Sequence, residues 1–316
     1  MNFLLDTQAG LSHDSVMNKL PVATRVQILS MLCEGSSMRS IGRVANVSTN
    51  TVNRYLVLAG KACSAFHDVT VRNVKAEKIQ CDEIWSFVGM KEKAAKKKAA
   101  KDERPANVGD VWTWTAIDAD SKLIVSWLLG GRDAGAAWEF MTDVAARLAN
   151  RVQVTTDAHK AYLTVVPEAF GFNVDYAQIV KVYGADPKED ARRYSPAQCL
   201  GATKEPIHGY PKPEHISTSY IERSNLTLRM ANRRFTRLTN AFSKKLENHA
   251  HMVALYTCWY NFVKMHKTVG MTPAMAANVT DRLWEMSDLV ALVDRFDDAQ
   301  PRKKAGRKPK SQAVAP

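Results

Sequence analysis

Apolar residues recur at a 3.6-residue spacing at Val22, Val26, Leu29 and Cys33, and Gly35 follows. That pattern predicts a helix closed at the glycine. A second short helix is predicted over residues 38–45. Asn46 and Val47 then make a turn, Ser48 is placed to cap, and a third helix runs over residues 49–58. After Lys75 the period changes from helical to alternating. Strands are predicted at residues 77–88, 111–117 and 122–129, the last two joined by a turn at 118–121. Helix over 136–149, strand over 152–156, helix over 158–169 and a β-rich run over 173–183 follow. Residues 184–215 carry five prolines among polar residues and read as an irregular insertion. Helical periodicity resumes at Ser219 and runs, with or without a break, to Met265.

Three helices, then β-β-β-α-β-α-β, then helices predicts an α/β fold: a mixed sheet with helices on its faces, preceded by an all-α unit. In that unit Ile41, Gly42, Ala45, Val47, Val52 and Tyr55 have the spacing of a helix-turn-helix, and Asn46 is a residue type that tolerates the left-handed region its turn requires. The third helix would then present Thr49, Asn50, Asn53 and Arg54, side chains suited to base edges and phosphates. A plain helical subdomain is the alternative.

Composition narrows the partners. The 44 basic residues against 32 acidic ones leave a net charge of +12, which favours a polyanion, although a solvated cationic surface has the same composition. The five cysteines are scattered with no Cys-x-x-Cys, which argues against a zinc ribbon or a disulfide framework and for a cytoplasmic protein. The longest apolar run, residues 252–263, is shorter than the ~20 residues a bilayer needs and contains Asn261, so no membrane partner is expected.

Three acidic residues stand apart from the rest. Asp82 lies mid-strand among apolar neighbours, where an unpaired charge is costly. Asp157 ends a strand, on the side where open sheets place their ligands. Glu222 opens a helix whose period aligns it with Asn225, Arg229 and Arg233. Carboxylates from two strands and a helix suit a pair of Mg²⁺ ions in phosphoryl transfer. Glu83 adjoins Asp82, but strand alternation sends it to the opposite face, so the two are not expected to serve together. Asp118 and Asp120 belong to a turn, Glu139 and Asp143 to a solvated helix face, and pattern does not exclude Asp175. His159 could orient a phosphate or make an ordinary polar contact. Trp112, Trp114 and Trp127 are expected in the core, as are Tyr256, Trp259, Tyr260 and Phe262.

Cys81-Asp82-Glu83-Ile84-Trp85-Ser86-Phe87-Val88, followed by Ile221-Glu222-Arg223-Ser224-Asn225-Leu226-Thr227-Leu228-Arg229 and Arg237-Leu238-Thr239 through Phe242-Ser243-Lys244-Lys245-Leu246-Glu247-Asn248-His249, resembles the IS1-type insertion-sequence transposases. These are DDE enzymes with a ribonuclease H-like core, and the resemblance spans residues 75–272. It implies that Asp82, Asp157 and Glu222 are the catalytic, metal-binding triad, holding two Mg²⁺ ions with Mn²⁺ as a substitute. It further implies that the chain binds the terminal inverted repeats of its element, cleaves and transfers DNA strands, and works on double-stranded DNA as a homodimer or higher oligomer in the cytoplasm, at the nucleoid. Arg229, Arg233, Arg234, Arg237, Lys244 and Lys245, with Asn225, would hold DNA near the scissile phosphate. The cysteine zinc finger that begins many members is absent, so end recognition falls to the helix-turn-helix.

The expected organisation is an extension over 1–20, a helix-turn-helix domain over 21–72, a catalytic domain over 75–272 with a Lys-rich insertion at 91–104 and a Pro-rich one at 184–216, a helix over 273–298, and a basic, disordered tail over 299–316. A DNA-binding protein that has lost its chemistry and a structure-specific nuclease are the rival readings.

Overall fold

The computed structural model describes residues 19–101, 107–184, 199–236 and 240–301. Helices α1 (Val22–Cys33), α2 (Met38–Val44) and α3 (Thr49–Thr70) open the chain. Ser37 and Ser48 cap α2 and α3 by accepting the Ser40 and Thr51 backbone N–H groups. Asn46, at the turn between them, has φ 51°. Helix α3 continues well past residue 58, where the sequence pattern placed its end. Gly60 is inside it because α8 passes so close that a Cβ there would sit 2.3 Å from the Cβ of His251.

The sheet is built from β1 (Lys78–Val88), β2 (Gly109–Asp118), β3 (Ile124–Gly130), β4 (Gln153–Asp157), β5 (Asp175–Tyr183) and β6 (Cys199–His208), in the order β3-β2-β1-β4-β5-β6. Strands β1, β2 and β3 are antiparallel neighbours, β4 and β5 run parallel to β1, and β6 returns antiparallel to β5. The first five strands have the order and directions of a ribonuclease H-like sheet, and β6 extends it. Helix α4 (Glu92–Ala99) carries the exposed lysines after β1. Helices α5 (Ala134–Arg147) and α6 (Ala161–Ala169) cover one face, where Phe140 and Tyr162 pack on Trp114. Helix α7 (Ser219–Ala231) lies on the other, its first turn docked on Gln80, whose Oε1 accepts the Tyr220 and Ile221 N–H groups at 2.9 and 3.0 Å.

One further element departs from the pattern reading, and one that it left open is settled. The helix beginning at Ser219 is broken: α7 ends at Ala231, a 3-10 turn follows over Arg233–Phe235, and α8 (Leu246–Cys258) starts afresh before passing into a π turn over Trp259–Val263. Asn232 makes the break by accepting the Arg234 N–H with its side chain, an alternative to helical bonding that asparagine offers. The Pro-rich stretch contains β6, an edge strand. Residues 200–206 of it face solvent, and Pro206 is tolerated beside a register shift at Tyr176/Ala177. Residues 185–198 of that stretch lie outside the described residues, as do 102–106 of the Lys-rich stretch and the tail from 302. Helices α9 (Pro273–Ala276) and α10 (Met286–Asp298) end the described chain.

One hydrophobic cluster joins Leu29 and Cys33 of α1, Leu56 and Cys63 of α3, Ile79 and Trp114 of the sheet, Leu255 of α8 and Leu289 of α10. Trp114 is fully buried, and Trp112 and Trp127 pack on the cluster partly exposed. Among the described residues no helix is long and apolar enough to cross a membrane.

Candidate active site

Strand β1 pairs with β4 only from Lys78–Gln153 to Gln80–Thr155. Beyond that register the two strands part, and β1 runs on beside the end of β4 paired with β2 alone. Asp82 and Glu83 lie just past the parting on β1, and Asp157 ends β4. Asp82 shares the α7 face of the sheet with Gln80, and because Gln80 grips the first turn of α7, Glu222 arrives above Asp82. A cavity of about 480 Å³ results, lined by Asp82, Asp157, Glu222, Arg132, His159 and Lys181 among others.

The three carboxylates are held differently. The Asn225 Nδ2 donates to Asp82 Oδ2 at 2.8 Å, and the Thr115 hydroxyl donates to Asn225 Oδ1 at 3.2 Å. Burial, then repulsion from Asp157, pushes the Asp82 carboxyl up to about 6 despite the Asn225 bond. Asp157 accepts the His159 backbone N–H at 3.0 Å and faces Arg132 Nη2 at 3.2 Å. Glu222 is exposed at the rim. Burial would raise its carboxyl, but Lys181 at 2.6 Å and the Thr218 hydroxyl at 2.7 Å outweigh it and hold the group below its ordinary range.

Glu83 corrects the reading that set it aside. Its side chain does leave on the opposite face, toward Tyr162 of α6, yet oxygens of Asp82, Glu83 and Asp157 all lie within 4.8 Å of one another. The parting of β1 from β4 is the reason: with no strand on that edge of β1, side chains from both faces converge at the open end. Glu83 is fully buried, bonded by the Tyr162 hydroxyl and by Arg132 Nε at 3.1 Å. Burial and the Asp157 charge push its carboxyl up to about 7.

The donor set fits a hard divalent cation. The converging atoms are carboxylate oxygens, with no cysteine sulfur among them, and Asp82 and Glu83 are both raised by burial and by the neighbouring Asp157 charge, a repulsion that a cation would relieve. The His159 ring packs against Trp114 and Tyr162, and its Nε2 is buried with no partner.

No family model matches the chain, and no curated protein is similar enough to be matched. Among solved structures it is similar to a chain in the crystal structure of a pre-cleavage Mos1 transpososome. The identity is 9%, the TM-score 0.30, and the match covers 93% of this chain and 83% of that one. Likeness at that level carries no chemistry across.

The residues expected to touch DNA are scattered in their surroundings. Thr49, Asn50 and Arg54 are exposed on the first turns of α3, and Arg39 and Arg43 stand exposed beside them on α2. Asn53 is instead turned inward, its Oδ1 accepting from Asn248 of α8. Asn225 is a correction: it is buried and its side chain is spent on Asp82 and Thr115, so it braces a carboxylate. Arg233, Lys244 and Lys245 are exposed, Arg229 is half-buried, and Arg234 is half-buried with Nη1 donating to Ser243. Arg237 lies outside the described residues. Sequence reasoning missed Arg132, Lys181 and Tyr162, which carry no local pattern. The buried polar Gln80, two positions before Asp82 on the same strand face, is a signal that could have tied α7 to the strand.

Proposed function

We propose that this chain is a DDE-type DNA transposase of the IS1 kind, cleaving and joining DNA strands by metal-dependent phosphoryl transfer. One observation carries the reading: carboxylates from a central strand, the end of its parallel neighbour and the first turn of a helix meet around one cavity at the open end of the sheet. Asp82, Asp157 and Glu222 would hold two Mg²⁺ ions, for which Mn²⁺ substitutes. The ions, when bound, supply the positive charge that makes a phosphodiester susceptible to attack. The chain's own residues do the positioning: Asn225 fixes the Asp82 carboxylate, the His159 backbone N–H fixes that of Asp157, and Thr218 and Lys181 hold Glu222 at the rim until a cation competes for it.

In this reading residues 21–72 bind the terminal inverted repeats as a helix-turn-helix, with Thr49, Asn50 and Arg54 toward the bases and Arg39 and Arg43 toward phosphates. The lysines of α4 and the basic residues after Glu222 hold the duplex around residues 75–272. Two ends must be joined, so the working form on DNA is at least a dimer. The test is a plasmid carrying the gene of this chain with its native flanks, incubated with the purified chain and Mg²⁺. Strand cleavage leaving 3′-hydroxyls, followed by joining, is expected from the unaltered chain and is expected to fall at least 1,000-fold in Asp82→Ala, the scale lost when a member of a catalytic constellation is removed. Joining that survives in Asp82→Ala refutes the assignment; cutting with no joining makes the chain a nuclease.

A further inference from the structure

We infer that Arg132 is a phosphate-binding catalytic residue of this site, a guanidinium that the fold holds in place to grip a non-bridging oxygen of the scissile phosphodiester. The inference rests on the reading of the cavity as a phosphoryl-transfer site and adds to it an anion-binding group outside the acidic triad.

The loop that carries Arg132 is rigid at both ends. On its N-terminal side the Trp114 indole N–H donates to the Gly131 carbonyl at 2.9 Å, from a fully buried ring. On its C-terminal side Asp133 caps α5 by accepting the Ala136 N–H at 3.0 Å. A Cβ at Gly131 would stand 2.1 Å from Asp133 Oδ2, so a side chain there would push aside the carboxylate that caps α5. The Arg132 guanidinium lies over the Trp112 ring, 4.9 Å from its centroid, and its Nε is bonded to Glu83, whose carboxylate is wholly buried. A buried carboxylate held also by Tyr162 cannot be satisfied by water, so it anchors the arginine.

What the anchor leaves over points into the cavity. Nη2 reaches Asp157 at 3.2 Å, Nη1 donates to none of the described residues, and the side chain keeps 37% of its surface exposed. An arginine used only to neutralise Glu83 would have no need to extend to the carboxylate at the end of β4. A planar fork pre-oriented beside metal-ligating acids is the arrangement that stabilises charge developing on phosphate oxygens. In the cleavage step the oxygen of water forms a bond to phosphorus, the bond from phosphorus to the 3′-oxygen breaks, and a proton passes from the water to the departing oxygen. Arg132 keeps all its protons and only shifts its hydrogen bonds from Asp157 to the phosphate.

The experiment compares the unaltered full-length chain with Arg132→Ala, Arg132→Lys and the double variant Glu83→Gln/Arg132→Ala. The double variant removes the buried charge together with its partner, so folding does not depend on an orphaned carboxylate. Cleavage of the plasmid with native flanks gives kcat and KM, and electron paramagnetic resonance gives Mn²⁺ affinity without DNA. Expected is a fall in kcat of about 100-fold in both alanine variants, the usual effect of losing one anion-stabilising donor. Mn²⁺ affinity of the single variant Arg132→Ala should stay within twofold or tighten, because Asp157 is released, and Arg132→Lys should recover only part of the rate. Cleavage within threefold of the unaltered chain in the double variant overturns the role. Loss of Mn²⁺ binding in parallel with cleavage in Arg132→Ala overturns it too, making Arg132 part of the acid scaffold. No Mg²⁺-dependent cleavage by the unaltered chain refutes the phosphoryl-transfer reading itself, and this role with it.

Discussion

Asp82 and Glu83 are adjacent and both are pushed up, but their surroundings assign them different work. Glu83 is closed off from solvent and bound by two donors, whereas Asp82 lines the open cavity with a single side-chain donor, Asn225. The Asp82 carboxyl is raised from its ordinary value to about 6, so the fold prefers it protonated. Its contribution to stability is therefore fully present below the ordinary carboxylate range and is lost as pH rises through about 6. In chelator-treated protein at pH 8, Asp82→Asn is expected to raise the unfolding free energy by about 1 kcal/mol, less than the ceiling set by ~1.4 kcal/mol per pH unit because the site is open on one side. At pH 4 the difference should vanish. Urea unfolding at the two pH values measures it, and a higher stability of the unaltered chain at pH 8 than of the variant would refute the electrostatic picture. The same protons compete with cations, so Mn²⁺ affinity of the unaltered chain should drop roughly tenfold between pH 7.5 and pH 5.5 as Asp82 and Glu83 take them up, which a titration followed by electron paramagnetic resonance would register.

Helix α3 shows what an element owes to its neighbours. Its first turns follow from local signals, Ser48 as cap and apolar Val52, Tyr55 and Leu56 inward. Its last turns exist because α8, the π turn after it and the segment before α10 pack there: Phe66 meets Phe262 and Trp284 at 5.1 and 5.0 Å between ring centroids, and Cys258 reaches the Cys63 carbonyl. Gly60 permits the close crossing, so Gly60→Ala should destabilise the chain by about 2 kcal/mol even though alanine is the better helix former, readable as a lower urea midpoint with unchanged slope. A neutral or stabilising effect would mean that the helices are not in contact there. The same balance decides what was legible in the sequence. Strands β1 to β5 alternate or run apolar because one or both faces are buried, and the pattern found them within a few residues. Strand β6 is polar and proline-bearing because it is an exposed edge, so it read as a loop. The break after Ala231 is made by one Asn side chain between two helical stretches, which periodicity does not register. Among the residues of the cavity, Asp82 stood out as a charge mid-strand among apolar neighbours, Asp157 as the end of a strand, and Glu222 as the acid opening a helix, and the motif resemblance joined the three. Arg132 and Lys181 could not be singled out, since a single cation in a loop or on a strand has no pattern, and Glu83 was set aside by an alternation rule that holds for its direction but does not keep the two carboxylates apart once β4 has ended.

At the scale of the molecule, the three N-terminal helices and the sheet share a core. Besides the common hydrophobic cluster, His67 meets the Ile124 carbonyl of β3, Arg147 of α5 donates to the His67 and Val71 carbonyls and to Asp68, and Arg25 of α1 pairs with Asp294 of α10. Arg147 and Arg25 are nearly buried, and removing their partners would leave unpaired charges in the interior. A DNA-binding unit on a flexible tether would unfold separately from its catalytic partner; one fixed in this way should not. The tryptophans divide the molecule usefully, since all seven lie at residue 85 or later and none is in α1–α3. Fluorescence therefore reports the sheet and the C-terminal helices, while far-ultraviolet circular dichroism also includes the first three helices. The expected outcome is a single urea transition with coincident midpoints by the two probes, and no stable fragment spanning residues 21–72 on limited proteolysis. A chain beginning at Lys75 should expose the α8 and α10 surfaces that α3 covers and lose its cooperative transition. Separate midpoints, or a folded 75–316 fragment, would make the N-terminal helices an independent module. If they are not one, a duplex held by Thr49, Asn50 and Arg54, as the proposed function has it, would take a fixed position relative to Asp82 and Asp157, with α3 rather than a linker between them.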